Sequence, residues 1–337
     1  MKSDIILLGH GSGGKLGHQL LDELIIPILS GIAPGDQNDA AVFEHAGGRL
    51  AFTTDSYVVD PIFFPGGTIG DLAVNGTVND LAMAGARPLA LSVGLILEEG
   101  LAVAELRQVL EGMRAAADGA GVRIVTGDTK VVPRGKADKV FINTAGIGVF
   151  DHALEIRGSG ARPGDKVLVN GTLGDHGMAV LASREGLALT TNIRTDSAAL
   201  HRLVAELLGE LGDAVHALRD PTRGGVATTL KEIALQSGVD VVLEEETLPI
   251  GEGVAGACAI LGLDPLFVAN EGKLLAVVAP EAAGAALEVM QRHPEGRQAA
   301  IIGEVTGHSA GRVRMRTAIG GLRAIEMLAG QQLPRIC

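Results

Sequence analysis

Four short stretches of the chain place carboxylates directly after apolar segments or inside an apolar helix. They carry six aspartates: Asp36, Asp39, Asp55, Asp60, Asp80 and Asp128. Mg²⁺ takes oxygen ligands and is usually bound by one or two carboxylates together with the phosphates of a substrate. The pattern therefore predicts a site for a nucleotide and its magnesium ion. For each aspartate taken alone, the alternative is structural, because loop carboxylates also cap helices and order turns.

A thiol occupies the last position of the sequence. The chain has two cysteines, Cys258 within an apolar helical pattern and Cys337 at the end of QQLPRIC. Pro334 stiffens this segment, Arg335 favours a thiolate, and seven extended residues span about 23–25 Å. The tail is therefore predicted to swing Cys337 into a neighbouring cleft. The alternative is an incidental thiol on a frayed end, while Cys258 is predicted to lie in the core.

The glycine-rich segment GHGSGGKL resembles a phosphate-binding loop without completing one. Gly9, four further residues, Gly14 and Lys15 have the required spacing, but Leu16 stands where a Ser or Thr would bind Mg²⁺. The amides of Gly13 and Gly14 can approach phosphate, and Lys15 can add a positive charge. We predict a loop that covers phosphates, with the metal ligands elsewhere; a plain turn is the alternative.

Composition excludes several classes of function. A formal charge of −12, with seven Phe, one Tyr and no Trp, argues against nucleic-acid binding. No apolar run approaches the roughly 20 residues of a membrane-spanning helix. Two cysteines cannot form a disulfide framework, so we expect a reducing compartment, the cytoplasm. A chain of 337 residues can form two domains.

Strand-like and helix-like segments follow one another in runs as well as in alternation, which predicts an α+β fold. The first half begins with DIILLG, predicted as a strand, and LGHQLLDELIIPIL, predicted as an amphipathic helix. A segment rich in Gly, Pro and charge at 151–166 indicates a boundary. The predicted domains are 1–150 and 151–330, with a mobile tail at 331–337.

Five motifs occur in order along both halves: GDQNDAAV, FTTD, VNDLAMAGARP, GDTK and RDPTRGGVATTLKEIA. Together they resemble the ATP-binding superfamily of aminoimidazole ribonucleotide synthetase and selenophosphate synthetase. Within it, GHGSGGK, NEGKL and PRIC resemble the HypE family, the carbamoyl dehydratases of [NiFe]-hydrogenase maturation. The resemblance implies a two-domain PurM-like fold. Its N-terminal α/β domain would pair its sheet with a partner subunit in a homodimer, and its C-terminal α+β domain would close over ATP.

The resemblance also implies a set of site residues. Magnesium and triphosphate would be held by four carboxylates, Asp39, Asp55, Asp80 and Asp128. The nucleotide would further contact Lys15, Gly13, Gly14, Asn79, Thr222, Arg223 and Gly224. The reaction would depend on Cys337, Glu271 and Lys130, with Asn270 and Glu271 lining the place where the thiol arrives.

The implied reaction starts with a carbamoyltransferase, HypF, which loads a carbamoyl group onto the Cys337 sulfur. The carbamoyl oxygen then attacks the γ-phosphate of MgATP, with Glu271 as the base and Lys130 stabilising the moving charge. Loss of phosphate leaves a thiocyanate, and the cyanide passes to a HypC–HypD iron-assembly complex.

Three alternatives stay open at this point. Another enzyme of the superfamily would act on a small molecule: selenophosphate synthetase expects a reactive Cys or selenocysteine in the glycine loop, which this chain lacks, and thiamine-monophosphate kinase needs no terminal thiol. A non-catalytic carrier would accept a group on Cys337 and tolerate the loss of Glu271 or Lys130. An ATP-binding interaction protein would not need Cys337 at all.

Overall fold

The structure is a computed structural model that describes residues 5–11, 13–29, 37–184, 192–308, 310–328 and 335–337. Asp36 and Pro334, both named above, lie outside these ranges. In the described part, no helix is long and apolar enough to cross a membrane.

The N-terminal half is a five-stranded sheet with helices on one face. Its elements are α1 (Lys15–Leu20), a π-helical turn (Leu21–Ile25), α2 (Ile26–Leu29), β1 (Ala41–His45), β2 (Gly48–Tyr57), β3 (Phe63–Phe64), β4 (Gly67–Thr68), α3 (Ile69–Met83), β5 (Arg87–Glu98), α4 (Val103–Ala120), β6 (Arg123–Val132) and β7 (Val140–Val149). The strand order is β1-β2-β7-β5-β6, and only β5 and β6 run parallel.

The C-terminal half is a seven-stranded sheet. Its elements are β8 (Lys166–Val169), α5 (Asp175–Ala182), α6 (His201–Leu211), β9 (Val215–Arg219), α7 (Gly225–Ser237), β10 (Val239–Glu244), α8 (Glu252–Leu261), β11 (Leu275–Val278), α9 (Ala283–Arg292), β12 (Ala300–His308), β13 (Val313–Arg316) and β14 (Leu322–Ile325). The order is β14-β13-β10-β12-β8-β11-β9. One face packs against α7 and the other against α6 and α9, as the two clusters of buried apolar residues show.

Helix α3 lies at the centre of the molecule. Thr68 and Asp71 form a capping box at its start, and thirteen of its fifteen residues are buried. A helix that is apolar nearly all round must be covered on every side. The N-terminal sheet covers one side, and the last turn, with Ala82 and Met83, enters the apolar cluster of the C-terminal half. The two halves therefore share this helix.

Within the described part of the chain, the opposite face of the N-terminal sheet is exposed. Four large apolar side chains on it, Phe43, Phe52, Ile96 and Ile147, are 42–49% exposed. Because strand side chains alternate between faces, the register places all four on the side that points away from α3 and α4. This surface is called the outer face below.

The α+β prediction is confirmed, and most predicted elements are present. The strand predicted in DIILLG is wrong: Leu8–Gly11 is a 3₁₀ turn, and Ile5 to Leu8 are largely exposed. An apolar run alone does not distinguish a strand from a surface segment that pairs with none. Helix α6 and strands β9, β13 and β14 were not predicted. The domain limits at 150 and 330 stay predictions.

Candidate active site

The last three residues lie in a groove beside the segment that follows β2. The backbone amides of Val58 and Asp60 donate to the carbonyls of Cys337 and Arg335, each at 3.2 Å. Between them Ile336 is 3% exposed and packs into the apolar core that includes α3. The end of the predicted tail is thus docked, while its residues 331–334 lie outside the described ranges.

Arg335 anchors this docked end. Its guanidinium forms ion pairs with Asp138 at 2.6 Å and Asp60 at 3.6 Å, and Arg184 donates to its carbonyl at 2.8 Å. Its φ of 55° is unusual for a residue other than glycine and persists only where several contacts fix the backbone. Arg335 was predicted to favour a thiolate at Cys337. The structure directs its charge to two aspartates instead.

The Cys337 thiol faces Glu271 inside the groove. Burial raises the pKa of this thiol, and the hydrogen bond and charge of Glu271 raise it further, while Arg223 opposes them. A thiol is a good nucleophile only as a thiolate. In the docked state the sulfur is therefore suited to carry a group that it already bears, and poorly suited to accept one.

The NEGK segment is built to present Glu271. The Asn270 side chain donates to the carbonyl of Pro221 at 2.9 Å, which ties the segment to the loop before α7. The backbone amide of Glu271 donates to Asp196 at 3.1 Å, and Lys273 pairs with the other oxygen of Asp196 at 3.0 Å. The backbone is thus held on both sides, which leaves the Glu271 carboxyl free to face the thiol.

The Glu271 carboxyl is 4% exposed, and its Oε1 has no hydrogen-bond partner within the described ranges. Burial raises the pKa of Glu271 well above its usual value, and the charges of Asp220, Asp55 and Asp196 add to this, against Arg223. Burial therefore favours the protonated form of this carboxyl and gives it a high affinity for a proton.

An acidic cavity of about 440 Å³ adjoins the groove. It lies between α1, the ends of β2 and α3, and the loop before α7. Five carboxylates line it: Asp39, Asp55, Asp80, Asp220 and Glu232. Burial raises the pKa of both Asp80 and Asp220, and their neighbours' negative charges raise it further. Like charges held together in this way favour the arrival of a cation.

Asp39 already has a cation. Its carboxylate pairs with Arg219 at 2.8 Å, Arg219 pairs with Glu232 at 2.8 Å, and Glu232 accepts from His18 at 2.9 Å. Burial raises the pKa of Asp39 to about 6, although Arg219 lowers it. Arg219 thus already supplies a positive charge to Asp39, and the assignment of Asp39 as a metal ligand stays a prediction.

In the described part, no three His, Cys, Asp or Glu side chains converge on one point as a ready metal site. The residues present still fit Mg²⁺, which commonly takes only one or two carboxylates and completes its shell with phosphates and water. Asp80 accepts from Thr53 at 2.8 Å and is thereby oriented toward the cavity. Three carboxylates of the cavity have no ion-pair partner within the described ranges and could hold Mg²⁺: Asp55, Asp80 and Asp220.

Asp128 and Lys130 lie elsewhere. They pair with each other at 2.7 Å, with side chains 71% and 70% exposed. Asp55 is paired across the sheet with Thr144, whose hydroxyl donates to the backbone of α3, so Asp55 faces the helices. In the same cross-strand row, β6 contributes Gly127. Asp128 is the next residue of β6, opposite Gly94, and therefore points to the outer face. Within one chain, both predicted site residues are therefore on the wrong side of the sheet.

The glycine loop contacts the site through its backbone. Gly13 has a φ of +71°, and a Cβ there would lie 3.0 Å from Arg223, which itself donates to the carbonyl of Gly11. Gly14 is buried as the cap of α1. Lys15 is exposed and is not among the residues that line the cavity, so the structure does not bring its charge there.

Of the loop before α7, Thr222 and Arg223 line the cavity. Gly224 has a φ of +80°, and a Cβ there would lie 2.3 Å from the Thr228 hydroxyl, so this position shapes the turn into α7. The carbonyl of Thr222 accepts from the amide of Gly225 at 2.9 Å, which closes that turn.

Asn79 was predicted to contact the nucleotide, and this stays a prediction; its side-chain amide bonds to the segment before α6. Its side chain donates to the carbonyl of Ala198 at 2.9 Å and accepts from the amide of Leu200 at 2.8 Å. The side chain is buried and both ends of its amide are used. Asn79 therefore joins α3 to the segment before α6 and is not directed at the cavity.

Several residues of the site were missed by sequence reasoning. They are Tyr57, His176, Asp196, Arg219 and Asp220. Asp220 directly follows β9, a strand that the sequence pattern does not predict. Tyr57, the only tyrosine, lies two residues after Asp55 on the same buried face and could have been found from strand alternation. Nothing in the sequence singled out His176 or Asp196.

This fold and site define a class before any single relative is considered. The N-terminal domain of AIR synthase related proteins matches residues 37–150, and their C-terminal domain matches residues 162–316. The chain is a two-domain protein of this PurM-like class.

Carbamoyl dehydratase HypE of Bradyrhizobium diazoefficiens is 53% identical over 337 residues, 100% of this chain and 97% of that protein. A crystal structure of hydrogenase maturation protein HypE in complex with ATP covers 99% of this chain and 100% of its own, with 51% identity and a TM-score of 0.83. A crystal structure of a HypE–HypF complex covers 92% and 99%, with 46% identity and a TM-score of 0.86.

The chain belongs to the HypE family of hydrogenase-maturation carbamoyl dehydratases, and the predicted family and enzyme class are confirmed. A crystal structure of thiamine monophosphate kinase from Aquifex aeolicus, 22% identical with a TM-score of 0.66 over 91% of this chain and 97% of its own, shares the fold alone. The alternative of a kinase is therefore not supported.

Proposed function

We propose that Cys337 carries the carbamoyl group which this enzyme dehydrates, and that ATP is held in the acidic cavity. One observation carries the proposal: the docked thiol and the cavity share residues. Arg223 and Asp55 line the cavity, and their charges also act on the Cys337 thiol. A group attached to this sulfur would therefore lie beside the phosphates of a nucleotide bound among the aspartates.

The carbamoyl oxygen is a poor leaving group until it is phosphorylated. Here it attacks the γ-phosphorus of ATP, ADP departs, and the nitrogen gives one proton to Glu271. The second N–H proton is lost as the C–O bond breaks, which releases phosphate and leaves a nitrile on the Cys337 sulfur. The sum is thiocarbamate plus ATP to thiocyanate, ADP, hydrogen phosphate and a proton: the carbamoyl oxygen and one nitrogen proton leave with the phosphate, and the other proton passes through Glu271.

Glu271 has the proton affinity that a general base needs, since burial raises its pKa. A cation held beside Asp55 and Asp220 would weaken the repulsion that raises the pKa of Glu271 and would favour its ionised form. The Arg223 guanidinium lies near both the thiol and the cavity and stabilises the charge that passes between them. Bound Mg²⁺, held by Asp55, Asp80 and Asp220, would supply neutralisation of the phosphate charge.

The outer face supports a homodimer. Its exposed apolar side chains, Phe43, Phe52, Ile96 and Ile147, form a surface that a second copy of the sheet can bury. Lys130 lies on the same face. We infer that Lys130 acts, together with Asp128, at the site of the partner subunit, because within its own chain it cannot reach the thiol.

The partners follow from the family. A relative was crystallised as a HypE–HypF complex, so we propose that a HypF carbamoyltransferase loads Cys337 with the tail undocked, where the thiol can ionise. The cyanide would then pass to a HypC–HypD complex. Both cysteines are free thiols, which suits work in the cytoplasm.

The test is the intact mass of the protein after incubation with a carbamoyl-loading system, ATP and Mg²⁺. We expect a gain of one carbamoyl group followed by loss of one water, and neither change in Cys337→Ala. Gain without loss would indicate a carrier and not a dehydratase working on its own tail. An unchanged mass in both proteins would refute the role of Cys337.

A further inference from the structure

His176 binds the docked tail and takes no part in the chemistry proposed above. It lies in the first turn of α5, and its ring is fully buried. Its Nε2 is 2.9 Å from the carbonyl oxygen of Ile336, and its Nδ1 is 2.8 Å from the Thr195 hydroxyl. Phe64 packs edge-on against the ring, with centroids 5.4 Å apart, which fixes the plane of the imidazole.

The partners of His176 determine where its proton is. A carbonyl oxygen can only accept, so Nε2 carries the hydrogen. Burial lowers the pKa of His176, so the ring is neutral and Nδ1 accepts from Thr195. The Thr195 oxygen in turn accepts from the amide of Ser197 at 3.1 Å. This chain of hydrogen bonds leaves the ring one orientation and one tautomer.

The docked tail is bound like a strand between two neighbours. The carbonyls of Arg335 and Cys337 accept from the chain after β2, and the carbonyl of Ile336 accepts from His176. Alternate carbonyls of an extended segment point to opposite sides. His176 therefore stands where a second strand would stand, and without it the buried Ile336 carbonyl would lose its donor.

We propose that His176 is the positioning residue that holds the tail docked and so sets the balance between the two half-reactions. This inference rests on the proposed function of Cys337. Loading requires the undocked tail and dehydration the docked one. Removing the His176 donor should therefore speed loading and slow dehydration, whereas a loss of general structure would slow both.

The first test is the rate at which iodoacetamide alkylates Cys337, followed by peptide mass. His176→Phe keeps an aromatic ring but donates no hydrogen bond, and leaving a buried carbonyl unpaired should raise the rate about tenfold or more. His176→Gln retains a donor near the position of Nε2 and should react nearly as slowly as the native protein. His152→Phe is the matched control, because it removes the same kind of bond, to Gly85 at 2.9 Å, far from the tail.

Alkylation of His176→Phe at the native rate would overturn the proposal. Cys258 is buried, with its pKa raised to about 11, and reports on general loosening of the fold. If Cys258 also becomes reactive in His176→Phe, Thr195→Val decides instead. Thr195→Val removes the hydroxyl that donates to His176 Nδ1 and keeps nearly the same side-chain shape. Alkylation of Cys337 at the native rate in this variant would also overturn the proposal.

The second test separates this inference from the proposed function. Cyanate loads thiols chemically, so each full-length variant is carbamoylated with potassium cyanate and then given ATP and Mg²⁺. Loading should be faster and water loss slower in His176→Phe than in the native protein, with His176→Gln restoring both. If native loaded protein loses no water, the proposed dehydration on Cys337 fails, while the alkylation rates still decide the role of His176.

Discussion

The two faces of the N-terminal sheet carry the same residue types in opposite environments. On the side covered by α3, burial raises the pKa of Asp80, a residue of that helix, and neighbouring charges raise it further. On the outer face, the hydrogen bond from Lys130 lowers the pKa of Asp128, and both side chains are in solvent. Both aspartates belong to motifs of the same superfamily. The side of the sheet, and not the motif, decides which carboxylate needs a cation.

This difference indicates that the two faces have different functions. The covered face holds buried like charges whose repulsion a metal–nucleotide complex can relieve, next to the thiol and Glu271. The outer face has apolar side chains and an ion pair in solvent, which is how a surface that meets another protein is composed. The four predictions below test whether the chemistry of each chain lies on its covered face, while the outer face provides assembly and contributes Lys130 to the site of the partner subunit.

The largest effect is expected at Glu271. Glu271→Gln keeps the shape but removes the base, so dehydration of the loaded thiocarbamate should fall by about 10²–10⁴-fold, the usual contribution of general base catalysis. Intact mass should show the carbamoylated protein accumulating in the presence of ATP. Glu281→Gln, an exposed position on the surface, is the control. Dehydration at the native rate would show that the base lies elsewhere.

The next effect compares the faces directly. Asp80→Asn removes a carboxylate of the cavity, and we expect the KM for MgATP to rise about tenfold or more, as for loss of a charged contact. Without nucleotide the same variant should be more heat-stable than the native protein, because a buried repulsion is gone. Loss of stability together with an unchanged KM would contradict the assignment of Asp80 to the metal–nucleotide complex.

A smaller effect tests Lys130 in the partner's site. Lys130→Ala and Cys337→Ala should each be inactive alone. After mixing and exchange of subunits, half the dimers are mixed and each has one complete site, so activity should return to about a quarter of native in a two-fold symmetric dimer. Native mass spectrometry should confirm that mixed dimers have formed. If activity does not return in them, Lys130 acts in the site of its own chain or has no role in the reaction.

The smallest effect is on stability against pH. The folded pKa of Asp39 is raised to about 6 from 3.8, and those of Asp80, Asp220 and Glu271 are raised as well. For a raised carboxyl the stabilising contribution is complete below the unfolded pKa and is lost as pH rises through the folded value. Without MgATP, the melting temperature of the protein should therefore fall as the pH rises from about 4 to 6. MgATP should reduce this loss, and an equal slope with and without MgATP would contradict the coupling.

Much of the architecture was predictable because it depends on local pattern. The alternating apolar positions of PLALSVGLILEE predict β5, and the helical spacing of AVAELRQVLEGMRAAADGAG, ending in glycine, predicts α4. The sequence also determined which residue types the chemistry needs: a thiol at Cys337, an acid in NEGK at Glu271, and aspartates at the ends of apolar segments. These features are visible in the sequence because each belongs to one short segment and needs no contact with a distant one.

Only the tertiary structure decided which of these residues meet. Strand alternation shows that each of Asp55 and Asp128 points to one face of the sheet. It does not show which face α3 covers. The ion pair between Asp39 and Arg219 could not be predicted from the sequence around Asp39, because Arg219 lies 180 residues further along the chain. His176 and Asp196 act through partners at Ile336 and Lys273. Contacts between distant segments depend on packing of the whole chain, and so does the pKa of every buried carboxyl.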